Sequence, residues 1–180
     1  MPSLPAGAHT LGPEDGTLSV KTGRTGVAAK AGHDLLIEVT VWQATLDVGE
    51  AAGFVLEADA TSLRVREGTG GMQALGDDDK ANIEQTIDEE ILKQQGIEFR
   101  STAVQTDGDR LGVQGELTLV GATAPIAFDV TLGGNGTVRG SAVVKQSDWG
   151  IAPYSTLFGT LKVVDEVEVE LVATLSVQSP

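Results

Sequence analysis

Residues 115–130 read GELTLVGATAPIAFDV. Leu117 and Leu119 alternate with Glu116 and Thr118. A Gly-Ala-Thr-Ala-Pro break follows, and then Ile126, Phe128 and Val130 alternate with Ala127 and Asp129. Period two on both sides of a tight break predicts a β-hairpin with one apolar face. Such a face has to be covered, either by other side chains of the same chain or by a bound molecule.

The alternation spreads outward in both directions. Upstream, Leu18, Val20 and Thr22 form one run. Leu35, Ile37, Val39 and Val41 form a second, which continues through Ala44, Leu46 and Val48 after a bend, and Phe54, Leu56, Ala58 and Ala60 form a third. Ile97, Phe99 and Ser101 then lead into the face Leu111, Val113, Gly115, Leu117, Leu119. Downstream lie Val138, Gly140, Ala142 and Val144, and finally the longest run, from Val163 to Val177. These make about eight strands, as expected of an all-β antiparallel barrel or sandwich. One-sided alternation favours antiparallel pairing, because buried parallel strands read as unbroken apolar runs. Asp107-Gly108 and Gly133-Gly134-Asn135-Gly136 supply turn chemistry between strands. Asn135-Gly136-Thr137 also fits a glycosylation acceptor, but the turn reading is preferred.

One stretch changes period. From Asp77 to Gln95, Ile83, Ile87 and Ile91 recur every fourth residue with Leu92 beside them. This predicts an inserted amphipathic helix that lays its isoleucine stripe over one opening of the barrel. Asp77, Asp78 and Asp79 suit its N-terminal end, and Gly96 suits its stop. Three adjacent carboxylates do not have the spacing of a calcium loop.

Composition limits the function. A length of 180 residues suits one domain, 1–180, with 1–14 as a flexible leader. The 26 acidic and 12 basic residues give a formal net charge of −14, which repels phosphate backbones and anionic headgroups. Nucleic acid and stable membrane insertion are therefore not expected. No run approaches the ~20 apolar residues of a membrane-spanning helix. The first residues have neither a basic segment nor an apolar run, so a cytoplasmic location is expected. Zero cysteines remove disulfides and thiolate metal sites. A homodimer stays open.

Catalytic signals are thin. No G-x-S-x-G elbow or Walker-type G-K-[ST] occurs, and His33 and Asp34, as neighbours in a strand, point to opposite faces. His33 is read as a hydrogen-bonded strand-end or turn residue. No catalytic residue, metal or cofactor is assigned, and an enzyme is not expected.

Several stretches resemble one family in the correct order. Residues 115–126, GELTLVGATAPI, are similar to the G-x-L-T-[LI]-x-G-x-T-[KR]-P-[VI] stretch of the YceI-like family. Ala60-Thr61-Ser62-Leu63 resembles its segment ending in Ser-Leu, and Ile97-Glu98-Phe99-Arg100-Ser101 its I-x-F-x-S strand. Ser147-Asp148-Trp149-Gly150-Ile151 resembles its S-D-[FW]-G-[IM] motif, and Val164–Val169 its closing D-x-V-x-[IV] strand. The resemblance implies an eight-stranded antiparallel lipocalin-like barrel holding a polyisoprenoid in its lumen. This chain departs from the pattern at Gln94-Gln95, where many relatives carry Tyr-Pro, and at Ala124 and Gln146, where a basic residue is usual. If those basic groups meet a headgroup in relatives, this chain favours a neutral or different ligand.

Strand parity supplies the candidate lumen residues: Leu18, Val20, Ile37, Val39, Leu56, Phe99, Leu117, Leu119, Phe128, Val130, Val169 and Leu171. Trp149, Tyr154 and Phe158 are candidates for shaping a mouth. The expected partner is a long-chain isoprenoid or other apolar lipid. The competing reading is a solidly packed interaction module whose partner is a protein.

Overall fold

The hairpin at 115–130 forms, with a tighter turn than its sequence suggests. Val120 (φ 52°) and Gly121 (φ 74°) alone make it. Two consecutive left-handed residues are the signature of a type I′ turn, which matches strand twist and favours glycine at its second position. Ala122 through Pro125 then belong to the returning strand. Leu119 and Ala122 close the turn as a hydrogen-bonded pair, so Glu116 and Pro125 face each other in a non-bonded pair. The missing proline N–H therefore costs this ladder nothing.

The computed structural model describes residues 7–48, 52–71, 74–156 and 161–175. Its strands are β1 (Gly7–Leu11), β2 (Gly16–Lys21), β3 (Arg24–Thr25), β4 (Asp34–Val39), β5 (Trp42–Val48), β6 (Gly53–Ala58) and β7 (Leu63–Thr69). After helix α1 (Asp77–Thr86) come β8 (Ile97–Asp107), β9 (Arg110–Leu119), β10 (Ala122–Leu132), β11 (Thr137–Lys145), β12 (Ser155–Thr156), β13 (Leu161–Val163) and β14 (Glu166–Thr174). Eleven strands pair antiparallel in the order β1-β5-β6-β8-β9-β10-β11-β14-β2-β4-β7, and β12-β13-β3 form a small second sheet. Among the described residues, no helix is long and apolar enough to cross a membrane.

The expected count of eight strands is not met, and the reason is curvature. The run from Leu35 to Val48 bends at Thr40-Val41 into β4 and β5, which pair with different neighbours. The run ending at Ala60 turns a matching corner and continues as β7, whose alternating Leu63 and Val65 escaped the sequence reading. The two corners are stitched together. Thr40 N–H donates to Ser62 carbonyl at 2.9 Å and Asp59 N–H to Val41 carbonyl at 3.0 Å. The Ser62 hydroxyl accepts from Val41 N–H at 3.1 Å and donates to Asp59 carbonyl at 2.7 Å. The eleven-stranded sheet thereby curls strongly upon itself. Residues 7–11, read as flexible leader, are β1, paired with β5 and anchored by the fully buried Leu11.

The helix is also shorter than its periodicity suggests. It ends at Thr86, a π-type turn spans Ile87–Ile91, and the reversal falls on Lys93 (φ 52°) and Gln94 (φ 57°) instead of Gly96. Asp79 accepts a hydrogen bond from Gly76 N–H at 2.9 Å, the capping role expected of that aspartate run. Glu84 accepts from Val65 N–H at 3.0 Å and so occupies a donor on edge strand β7.

Candidate functional site

Strand alternation places one apolar row from each strand inside the curl, but only part of that interior is filled. On β9, Leu111 and Val113 are sealed at 2% and 1% exposure. Farther along, Leu117 and Leu119 line a cavity of about 560 Å³. The same switch recurs on β11, from sealed Val138 to cavity-lining Val144, and on β14, from sealed Ala173 to lining Val169 and Val167. The packed end carries the tight turns at Asp107–Asp109 and Gly133–Gly136. The hollow end carries α1 and the small sheet. This volume lies within the ~300–1,000 Å³ of small-molecule pockets.

All the expected lumen residues line this cavity: Leu18, Val20, Ile37, Val39, Leu56, Phe99, Leu117, Leu119, Phe128, Val130, Val169 and Leu171. Tyr154, 43% exposed, lies at its edge as a mouth residue should. Trp149 does not. Its side chain is 3% exposed and its indole N–H donates to Leu117 carbonyl at 2.7 Å, so it fastens structure and shapes no mouth. The cause is a wedge between strands. β10 and β11 pair only over Asp129–Leu132 and Val138–Ser141, and the 3-10 turn Gln146–Trp149 packs against β10. Phe158 lies outside the described residues.

Sequence reasoning missed part of the wall. The Ile83, Ile87, Ile91 stripe was expected over an opening and does line the cavity, but its membership of the site was not assigned. Leu35, Phe54, Ile97 and Ile126 shared the predicted inward parity and could have been included on that ground. Leu63 could not, because β7 went unread. Phe54, Phe99 and Phe128 interlock, with ring centroids 5.1–6.1 Å apart.

Most of the polar lining gathers at the hollow end. Thr22, Arg24, His33, Asn82, Thr86, Gln146 and Lys162 line the cavity there, Ser141 lies deeper on β11, and none of the described lining residues is a carboxylate. Arg24 donates to Gly32 carbonyl and sits 3.6 Å from Asp34. His33 directly precedes β4, the strand-end position expected, and its ring lies against Gly71 (φ +73°), where an added Cβ would fall 2.4 Å from Nε2. Of the two positions where a basic residue is usual in the family, Gln146 lines the cavity and donates to Val164 carbonyl at 3.2 Å, whereas Ala124 lies outside the lining. Ser147 beside it donates to Asp165 through its hydroxyl (2.6 Å) and its amide (2.8 Å). Chiefly the hydroxyl bond holds the Asp165 carboxyl below its ordinary 3.8. No cluster of three or more metal-binding side chains occurs among the described residues.

The fold that encloses this apolar slot, a curled antiparallel sheet with one helix, has counterparts in solved structures. BcnA of Burkholderia cenocepacia superposes with a TM-score of 0.57 at 20% identity, over 87% of this chain and 96% of that one. The Campylobacter jejuni YceI protein gives 0.58 at 14% identity, over 79% of this chain and 85% of that one. At such identities the likeness concerns the fold. No curated protein sequence matches significantly. The profile of the YceI-like domain matches residues 15–175, nearly the whole length, and this chain belongs to the YceI-like family.

Proposed function

We propose that this protein binds a long apolar lipid, such as a polyisoprenoid, and carries, stores or sequesters it without chemical change. The tail occupies the cavity and any headgroup stays at the hollow end, where the polar liners gather. The observation that carries this reading is the cavity itself, about 560 Å³ and walled mainly by aliphatic and phenylalanine side chains, with most of its polar liners at one end. Such a space is a poor host for water, which needs two or more polar partners. Each buried methylene contributes about 0.8 kcal/mol, and association costs at least about 4 kcal/mol in lost freedom. A chain of about five methylenes only offsets that cost, so useful affinity needs a longer one. The family's known association with polyisoprenoids points the same way. Solid packing, the premise of the interaction-module reading, reaches only the end with the tight turns.

Native mass spectrometry of freshly purified protein, with solvent extraction of its lipids, tests this. The expected result is a co-purifying apolar compound of one class, exchangeable for added prenyl alcohol. Repeated preparations with an empty cavity and no uptake of prenyl compounds would overturn it.

A further inference from the structure

Phe54, Phe99 and Phe128 are three of the four phenylalanines in the chain; Phe54 and Phe99 are the deepest liners of β6 and β8, and on β10 only Val130 lies deeper than Phe128. Phe128 faces Val113 across the β9–β10 ladder, and Phe54 faces Leu46 across β5–β6. Both partners are sealed, at 1% and 0% exposure, and neither lines the cavity. The rings brace one another, Phe54 against Phe128 edge-on at 6.1 Å and Phe99 against Phe128 tilted at 5.1 Å. Along β14 the lining residues run only from Val167 to Leu171, a depth of about 13 Å at ~3.3 Å per residue. The strand itself continues to Thr174.

We propose that these three phenylalanines are the floor of the slot and set the length of apolar chain it accepts, so that the protein discriminates prenyl chains by length. This rests on the carrier reading above. A chain entering from the hollow end gains burial with every unit until its tip meets the rings. Beyond that length the excess stays at the mouth and adds little.

The test titrates the full-length, lipid-stripped protein with geraniol, farnesol, geranylgeraniol and solanesol, by competition against a fluorescent prenyl probe. Affinity should rise at least tenfold per isoprene unit and then level off at a definite length. Phe99→Ala should move that break to a longer chain and improve binding of the first alcohol past it by fivefold or more. Phe128→Leu, a milder truncation that keeps the layer apolar, should shift it in the same direction, which covers the case in which the alanine variant fails to fold. Phe54→Trp should move the break to a shorter chain. A break that stays put in folded variants, or an affinity that never levels off, overturns the floor while leaving the carrier role intact. Failure of every alcohol to bind the unaltered protein removes both.

Discussion

Leu111 and Val113, near one end of β9, are sealed among side chains, while Leu117 and Leu119 near the other end of the same strand face open space. The residue types, the alternation and the ladder are alike at both ends. What differs is the company across the interior. At the turn end, β1, β5, β9, β11 and β14 bring Leu11, Leu46, Leu111, Val138 and Ala173 together until nothing is left to fill. At the other end α1 and the small sheet roof a space that the strands do not close. One half of the molecule is therefore packed solid, while the other buries its wall residues as well but leaves a space between them that can host a guest.

The sharpest way to break this division is one substitution made in both halves. Leu111→Ala leaves a new hole in a solid region and should cost about 2–5 kcal/mol. Leu119→Ala enlarges a space that already exists, so the cavity penalty largely vanishes, leaving a cost of about 1–2 kcal/mol. Urea unfolding midpoints at unchanged slope measure both. Equal costs would mean that the hollow half is collapsed in solution.

The reverse substitution sharpens the contrast with a smaller effect. Ala173, 2% exposed, has no room to grow, and Ala173→Val should cost about 1–3 kcal/mol through overpacking. Ala142 lines the cavity, so Ala142→Val adds two carbons to the lining without strain and should be neutral or stabilising by up to about 1 kcal/mol. It should also weaken lipid uptake, a readout Ala173→Val leaves alone. Trp149→Phe separates structure from site along a different line. It removes the indole bond to the Leu117 carbonyl, which keeps its ladder partner Ala124, at a cost of about 1 kcal/mol, while prenyl alcohol binding stays unchanged.

This division also explains which features could be read from sequence. Strand parity is a local property with period two, and the twelve residues it selected all fall on the face that lines the cavity. Whether the two faces meet or leave a gap depends on distances between strands far apart in sequence, and no pattern encodes those. The eight-strand count failed where a corner interrupts alternation without destroying it, at Thr40-Val41 and Asp59–Ser62. The motif residues turned out to be fasteners: Ser62 stitches the corners, Ser101 accepts Phe54 N–H at 2.9 Å, and Trp149 and Ser147 hold the wedge. An aromatic in a motif suggested a mouth because exposure cannot be read from a residue name. The Phe54 row was open to parity, yet its interlocking with Phe99 and Phe128 required the register.

The two ends are also held by different forces, which makes them respond differently to acid. The turn end is secured by apolar burial, so the Leu111→Ala deficit should be the same at pH 7 and pH 3. The hollow end is secured at its rim by polar bonds, among them the Ser147–Asp165 clamp. The folded Asp165 carboxyl lies below its ordinary 3.8, so its contribution is fully present above about pH 4 and is lost as pH falls through the folded value. Asp165→Asn should thus raise hydrogen exchange in residues 146–151 at neutral pH. The gap from the unaltered protein should then narrow below pH 4, as the native carboxyl takes up its proton and loses the same charge-assisted bonds. Because asparagine keeps the shape of aspartate, a gap that never narrows as the pH falls would mean that the carboxylate charge is not what holds the rim, and the two ends of the molecule would differ in packing alone.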